Sequence, residues 1–481
     1  MKPLLRLENI AVRIMYFLNV TDSFLPFSVV CYFAIGIYGT PFRGLPSITP
    51  ASWAIAGLSF LFVYLCCAIA DFHCCFLCSV PVLIVFWLRS GQTFAGIGST
   101  FLWMFIFTSA VQIVGMGIPN AVASRDITVP FRMYLNSFVI LAPTTISLPV
   151  TLAFQLIMIE TIQTTVHQPF SIIVIGSAIV LFVSSVATRI IIRPPDLPPA
   201  HHPQQSKPLY RRVVLLNIDG LGFSAYSKAQ APFLHHCAEE FASATTGAQT
   251  VYKAFTNPAF ASILTGTTPD KHRIYNNNFG QSIKTEALPD FVDTRLYGSM
   301  HVKHFSRPAW NVTLVSLVEL GHDKADNALV YQLKNDMKKH GETQFWVVDL
   351  SLVDYTGHAW GGYTKRYKNA ITATDAIIKE FFVWCYKERM LEDTLFIISS
   401  DHGLFIGEHA YKIFKEEALV PLIFVGANIG TGTLPGNASI TDIAANVSYC
   451  LGKPYCKGSG GRVFDYGNEG PQEFMKRLGL V

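Results

Sequence analysis

The feature that most constrains the fold of this chain is a series of long apolar stretches, almost free of charge, in its first half. They run over residues 22–39, 52–70, 74–88, 94–118, 134–159 and 170–188. Several approach the ~20 residues that a helix needs to cross a bilayer, so they predict membrane-spanning helices. Only the short segment ADFH separates the second stretch from the third, which leaves five or six spans open.

The overall composition supports a membrane location for part of the chain. Of the 481 residues, 51% are hydrophobic and only 15% are charged, which is too apolar for an ordinary soluble protein. Most Lys, Asp and Glu residues fall after about position 207, so the chain has two unlike parts. The net charge of +4 is small and dispersed, which argues against nucleic acid as a partner and leaves the lipid bilayer.

Three regions follow from this pattern. Residues 1–192 are predicted to form an all-α transmembrane domain, and residues 193–209, rich in proline and polar residues, a semi-rigid linker. Residues 210–481 are predicted to form a separate domain outside the membrane. Lys and Arg flank the first and last spans, which favours a cytosolic position of residues 210–481 if there are six spans but gives no consistent side if there are five.

The second half alternates apolar strand-like runs with helix-like segments. The strand-like runs are VVLLNI at 213–218, FWVVDL at 345–350, TLFIIS at 394–399 and PLIFVG at 421–426. Continuous apolar strands separated by helices predict an α/β fold whose mostly parallel sheet carries helices on both faces. In such sheets the ligand site lies beyond the carboxyl ends of the strands.

Acidic and imidazole side chains follow three of these predicted strands. The candidates for metal ligands are Asp219, Asp354, His358, Asp401, His402 and His409. Each alone would be an ordinary turn or solvated residue, but six at one sheet edge predict a pair of divalent-ion sites. Asp and His suit zinc, so we predict two ions, with zinc favoured. One set is Asp219, Asp401 and His402, and the other is Asp354, His358 and His409.

The segment AFTNPAFASILTG supplies a candidate nucleophile. Thr256 stands at the start of a predicted helix with Pro258 in the first turn, a pattern that is also typical of a simple N-cap. A helix N-terminus favours negative charge, so a hydroxyl there that touches a metal can react as an alkoxide. Thr256 is therefore predicted to be the catalytic nucleophile and to contact a metal.

These motifs, in this order, resemble the alkaline phosphatase superfamily and in particular its nucleotide pyrophosphatase/phosphodiesterase branch. The likeness rests on DG at Asp219, TNPAFASILTGTTPDKH from Thr256 to His272, DYTGH from Asp354 to His358 and SDHG at Asp401 and His402. It implies an alkaline-phosphatase-like fold and a two-metal phosphodiesterase with a phospho-threonine intermediate. It also implies that Asn277 contacts a phosphate oxygen of a phosphodiester, pyrophosphate or lipid-linked phosphate substrate.

The chain departs from that branch at its last histidine. The pyrophosphatases take this ligand from much further downstream, whereas no histidine follows His409 here. A multi-span domain before such a catalytic domain resembles the phosphoethanolamine transferases, whose catalytic domains lie outside the cytosol. A phosphotransferase that acts on a membrane glycolipid is therefore the alternative, and a catalytically inactive transporter or scaffold is a third. On either enzymatic interpretation we predict a multi-pass membrane protein with an extracytosolic catalytic domain. Sulfatase activity is not expected, because Thr256 replaces the Cys or Ser of the sulfatase motif.

Other histidine, aspartate and cysteine residues of the second half lack the pattern of a ligand or leave their role open. His301 and His304 lack an adjacent carboxylate motif, which favours a surface or substrate contact over a third metal site. Asp349 lies inside an apolar run without a following Gly-His, so Asp354 is preferred as the ligand. Cys450 and Cys456 are either a short disulfide loop or two free thiols.

Overall fold

The computed structural model describes most of the second half of the chain and selected parts of the first. The described residues are 3–18, 54, 58, 102, 105–106, 109–110, 112–139, 179, 182–183, 186, 198–204, 207–252, 254–275, 277, 281–405, 409, 414–466 and 471–479. The chain divides into two compact units. One comprises Met1–Arg13, Asn120–Val129 and Pro195–Val481, and the other comprises Ile14–Pro119 and Pro130–Pro194.

The described helices lie mainly in the first of these units. The α-helices are α1 Pro3–Leu18, α2 Ile118–Ser124, α3 Val129–Val139, α4 Phe223–Tyr226, α5 Pro232–Glu240, α6 Thr256–Thr265, α7 Pro269–His272, α8 Met300–Phe305, α9 Leu317–Leu320, α10 His322–Lys339, α11 Leu352–Trp360, α12 Lys365–Lys387, α13 Lys415–Ala418, α14 Asp442–Cys450 and α15 Pro471–Arg477. A π-helix spans Gln112–Gly117, and a 3₁₀ turn spans Leu288–Asp290.

The strands form one large sheet and one short ribbon. They are β1 Arg212–Ile218, β2 Ala242–Ser243, β3 Ala248–Gln249, β4 Thr294–Gly298, β5 Asn311–Leu314, β6 Phe345–Leu350, β7 Thr394–Ser399, β8 Leu419–Val420, β9 Leu422–Val425 and β10 Gly432–Thr433. The large sheet has the order β10-β2-β9-β7-β1-β6-β4-β5. Only β9 is antiparallel to its neighbours, β2 and β7, so the predicted mostly parallel sheet is confirmed.

The centre of this sheet is the core of the domain. Every residue of β1, β6 and β7 is buried, which requires cover on both faces of the sheet. Val213, Val214, Leu215 and Leu216 are fully buried, and each such side chain contributes on the order of 1.5–3 kcal/mol. This apolar centre fixes the three strands that carry the candidate site.

The strands predicted from apolar runs lie where expected, but other elements were missed. FWVVDL and TLFIIS coincide with β6 and β7, and VVLLNI and PLIFVG agree with β1 and β9 within two residues. The strands β4 and β5 were not predicted because TRLYG and NVTL are short and mix polar with apolar residues. The helix α10 was missed because its sequence is mostly polar.

The predicted membrane spans fall largely outside the described residues. Within the described part of the chain, no helix combines the length and the apolar character needed to cross a membrane. The predicted all-α multi-span domain therefore stays a prediction.

The described part of the predicted linker packs within the same compact unit as the residues that follow it. The ring of His202 stacks on Tyr455 at 4.3 Å between centroids, and the Tyr455 hydroxyl donates a hydrogen bond to Pro203 O at 2.6 Å.

Cys450 and Cys456 are both buried free thiols, so the alternative of a short disulfide loop is wrong for this pair.

His272, one of the residues that carry the predicted resemblance, gives a prediction about acid stability. It is fully buried, its Nε2–H donates to Ser262 Oγ at 2.9 Å, and its Nδ1 accepts from Ile274 N at 3.1 Å. Burial lowers the pKa of His272 from 6.5 to about 3. Because the folded pKa lies below the unfolded one, the stabilisation is present above pH 6.5 and is lost as the pH falls towards 3.

We therefore expect His272→Gln to make the free energy of unfolding less dependent on pH in the acid range. The slope of the unfolding free energy between pH 6 and pH 4 should fall by about 1.4 kcal/mol per pH unit, the value for one proton. Denaturant unfolding at several pH values measures this, with His340→Gln, at a partly exposed histidine, as the control. Equal slopes for wild type and His272→Gln would contradict the assignment.

Candidate metal centre

The candidate site lies at the carboxyl ends of β1, β6 and β7. Asn217 of β1 is level with Asp349 of β6 and with Ser399 of β7 in the strand registers. Two residues further on, Asp219 and Asp401 therefore leave the sheet side by side. Parallel strands end at one edge of the sheet, so the register alone brings these carboxylates together.

The first cluster consists of Asp219, Asp401 and His402. His402 Nε2 lies 3.4 Å from Asp219 Oδ1 and 3.3 Å from Asp401 Oδ2. His402 Nδ1 donates to Gly403 O at 3.1 Å, which directs the Nε2 lone pair at the carboxylates. All three side chains are almost completely buried.

The second cluster consists of Asp354, His358 and His409. Asp354 and His358 are one turn apart on α11, with His358 Nε2 3.3 Å from Asp354 Oδ2. His409 Nε2 lies 3.2 Å from His358 Nε2 and 3.7 Å from Asp354 Oδ1. His409 Nδ1 donates to Ala254 O, so its Nε2 lone pair faces the other two residues. The rings of His402 and His409 stack at 3.7 Å, so the two clusters adjoin.

The spacing within both clusters suits a tetrahedral ion. Two ligands that each lie 2.0–2.1 Å from one zinc ion in tetrahedral geometry are about 3.3 Å apart. The five distances given above, 3.2 to 3.7 Å, match that spacing. In both clusters the three ligand atoms all lie within 4.8 Å of one another.

Unsatisfied oxygen atoms also favour cations here. Asp219 Oδ1, Asp354 Oδ1 and Asp401 Oδ2 are buried and accept no hydrogen bond. A buried carboxylate oxygen without a partner is costly, and a bound cation removes that cost. The residues present therefore fit a pair of divalent ions.

The electrostatics reflect the crowding of like charges. Burial and the nearby Asp401 and Asp354 raise the pKa of Asp219 well above its usual value, and burial raises that of Asp401 although His402 opposes it. Burial and His402 hold the pKa of His409 far below its usual value. Burial would raise the pKa of Asp354, but His358 and His409 outweigh it and lower that pKa.

The Thr256 hydroxyl points at the first cluster rather than capping its helix. The N-cap of α6 is Phe255, which makes no side-chain capping bond, and Thr256 is the first helical residue. Thr256 Oγ1 lies 3.3 Å from His402 Nε2, and the side chain is buried. The N-cap interpretation of Thr256 is therefore wrong, because the chain enters the helix one residue earlier.

Asn277 lies against the same helix start. Its Oδ1 accepts a hydrogen bond from Asn257 N at 2.9 Å, which turns the amide nitrogen away from that backbone group. Thr256, Asn257 and Asn277 thus share one corner of the site.

His301 and Asp349, which were not predicted as ligands, also lie at the candidate metal centre. His301 Nε2 lies 2.6 Å from Asp349 Oδ2, and Asp219 completes a third group of mutually close ligand atoms. The His301 side chain is only 13% exposed, so of the two predicted alternatives the surface contact is wrong and the substrate contact stays a prediction. The one sequence signal was the acidic residue inside the apolar run FWVVDL. His304, on the same short helix, belongs to none of these described groups.

Gly220 gives a prediction about the second cluster. It has a φ of +73°, and a Cβ added there would lie 2.6 Å from Asp354 Oδ1 and 2.8 Å from Asp354 Cα. Gly220→Ala should therefore displace Asp354, weaken metal binding and destabilise the fold by about 1–3 kcal/mol. Metal titration and unfolding of the variant measure both effects. Gly436→Ala, where nothing lies within 4 Å, is the control, and equal behaviour of the two variants would contradict the prediction.

Comparison with known proteins gives a family match for part of the second half of the chain. The family model described as type I phosphodiesterase / nucleotide pyrophosphatase matches residues 213–294 and 291–419. Comparison with curated proteins gives no match. The residues that the family model matches include Asp219, Thr256, Asp354, His402 and His409.

Solved structures of low sequence identity are also similar. Wild-type alkaline phosphatase PafA has 11% identity and a TM-score of 0.44, over 55% of this chain and 99% of its own. Murine ectonucleotide pyrophosphatase / phosphodiesterase 5 has 10% identity and a TM-score of 0.43, over 54% and 97%. Phosphonate monoester hydrolase from Silicibacter pomeroyi has 15% identity and a TM-score of 0.40, over 53% and 75%. On the evidence of the family model, the predicted resemblance to the nucleotide pyrophosphatase/phosphodiesterase branch of the alkaline phosphatase superfamily is confirmed for residues 213–419.

Proposed function

We propose that this chain is a metal-dependent phosphodiesterase of the nucleotide pyrophosphatase type, with Thr256 as its nucleophile. The observation that carries the proposal is the position of the Thr256 hydroxyl, 3.3 Å from His402 Nε2 and beside two adjoining ligand clusters. The family model over residues 213–419 supports the same class of reaction.

The six donor residues divide into the proposed ligands of two ions. Asp219, Asp401 and His402 would hold one ion beside Thr256, and Asp354, His358 and His409 would hold the other. Divalent ions at these positions would lower the pKa of the threonine hydroxyl and neutralise charge on the reacting oxygens. The mixed oxygen and nitrogen donors favour zinc.

Side chains of the protein carry out and orient the reaction. Thr256 Oγ1 attacks phosphorus, the bond from phosphorus to the leaving oxygen breaks, and that oxygen takes up a proton as the threonine gives one up. The phosphoryl group stays on Thr256 until water attacks phosphorus and restores the hydroxyl. The Asn277 amide nitrogen, beside the start of α6, would hold a phosphoryl oxygen.

Membrane attachment is part of the proposal and rests on the sequence. The apolar stretches of the first half support a multi-pass membrane protein. We propose an extracytosolic catalytic domain, as in the transferases that share this layout. Protease accessibility of the C-terminal half in sealed vesicles of known orientation tests the side.

A panel of chromogenic esters tests the reaction class. The purified full-length protein loaded with Zn²⁺ should hydrolyse bis-p-nitrophenyl phosphate faster than p-nitrophenyl phosphate, and p-nitrophenyl sulfate least. The order follows from the absence of an arginine next to Thr256 and of a sulfatase-type nucleophile. A phosphorylated Thr256 that persists in water and is released only by an added alcohol would instead establish the transferase alternative. No turnover and no phosphorylated protein would establish an inactive domain.

A further inference from the structure

A third buried carboxylate lies beside the metal centre but belongs to neither proposed ion. Asp349, in β6, is completely buried. Both of its oxygens are engaged, since Oδ1 accepts from Asn217 Nδ2 at 2.8 Å and Oδ2 lies 2.6 Å from His301 Nε2. Yet ligand atoms of Asp349, His301 and Asp219 lie within 4.8 Å of one another, close enough for a third cation site.

The distances separate a hydrogen bond from a cation site. Two ligands of one zinc ion stand about 3.3 Å apart, as do the pairs in the two proposed clusters. The 2.6 Å between His301 Nε2 and Asp349 Oδ2 is too short for that arrangement and is typical of a charge-assisted hydrogen bond. The proton shared by the imidazole and the carboxylate therefore takes up the gap between these two atoms, which a cation would have to widen.

Three elements hold this pair in place. Asn217 of β1 is level with Asp349 in the strand register, so the amide reaches the carboxylate directly. His301 comes from α8, and Ser299 Oγ lies 2.7 Å from its Nδ1, which fixes the orientation of the ring. A side chain held from both ends, as His301 is, cannot turn away without breaking two contacts.

We propose that His301 is a positioning residue that keeps Asp349 out of the ligand set, so that the centre takes two ions and not three. The inference rests on the proposed metal-dependent function. A carboxylate oxygen of Asp349 lies within 4.8 Å of a ligand atom of Asp219, so without His301 this carboxylate would be within reach of the ion that Asp219 holds. The coordination of that ion would then gain an oxygen.

Cobalt substitution of the full-length protein tests this. The metal-free protein is titrated with Co²⁺, and the number of ions bound and the visible absorption are recorded, since tetrahedral Co²⁺ absorbs more strongly than Co²⁺ with extra ligands. Wild type should bind two ions. His301→Ala should lose part of the visible absorption, and His301→Ala combined with Asp349→Asn should regain it, because the competing carboxylate is then gone. His340→Gln, at a partly exposed histidine that belongs to none of these groups of ligand atoms, should match wild type.

Other results overturn the inference. Three ions in wild type and two in His301→Ala would make His301 a ligand. A spectrum unchanged in His301→Ala, or one that Asp349→Asn does not restore, would exclude the positioning role. If His301→Ala does not fold, Asp349→Asn alone decides: two ions and an unchanged spectrum support the inference, and a lost ion contradicts it. Binding of no Co²⁺ by wild type would instead refute the proposed function as well.

Discussion

Thr256→Ala is expected to lower phosphodiester turnover by about a thousand-fold or more while leaving metal binding intact. Thr256 Oγ1 is the side-chain hydroxyl at hydrogen-bonding distance from His402 Nε2, and its loss removes the atom to which the phosphoryl group would bind. Metal content should change little, because Asp219, Asp401 and His402 remain. A simple structural role for this threonine would predict a loss of stability rather than of turnover.

Rapid acid quench with a radiolabelled diester measures the intermediate directly. Label should appear on wild-type protein and be absent from Thr256→Ala, whereas Thr256→Ser should keep both label and partial turnover. Thr265→Ala is the matched control, since Thr265 lies in the same helix but bonds to Ala261 O and Thr267 instead. Label on Thr256→Ala would exclude Thr256 as the nucleophile.

Removal of one ligand from each cluster is expected to remove one ion from each. Asp401→Ala leaves the first cluster with two of its three ligands, and Asp354→Ala does the same to the second. Each variant should bind one ion instead of two and lose turnover by about a hundred-fold or more, because neither ion alone can serve both reacting oxygens. Removing a carboxylate also relieves like-charge repulsion, so the fold itself should survive.

Metal analysis after dialysis, together with turnover at saturating Zn²⁺, measures both effects. Asp336→Ala is a matched control, because this buried aspartate belongs to neither ligand cluster and accepts a hydrogen bond from the Tyr297 hydroxyl. Loss of both ions in either variant would mean that the clusters do not bind independently. Two ions retained in both variants would exclude these residues as ligands.

The central strands could be predicted from sequence because their burial on both faces leaves continuous apolar runs. FWVVDL and TLFIIS are such runs, and their bounds agree with β6 and β7. The strand β4 and the edge strand β5 leave no such pattern, since TRLYG and NVTL include residues that are not fully buried. Prediction of the sheet therefore succeeds at its centre and fails towards that edge.

The six candidate ligands could be found because each directly follows a strand or belongs to a short motif. The structure brings Asp219 to Asp401 and Asp354 to His409, pairs that are far apart in sequence, although their roles as ligands stay predictions. His301 could not be assigned because its partner, Asp349, lies 48 residues away, and only the fold brings them to 2.6 Å. The N-cap alternative for Thr256 could not be excluded from sequence, because a one-residue shift of a helix start leaves no signal there.

Anomalous diffraction at the zinc edge, from crystals of the full-length protein grown with Zn²⁺, tests the central claim most directly. We expect two peaks, one contacted by Asp219, Asp401, His402 and the Thr256 hydroxyl, and the other by Asp354, His358 and His409. A peak between His301 and Asp349, or the absence of a peak beside Thr256, would contradict the account.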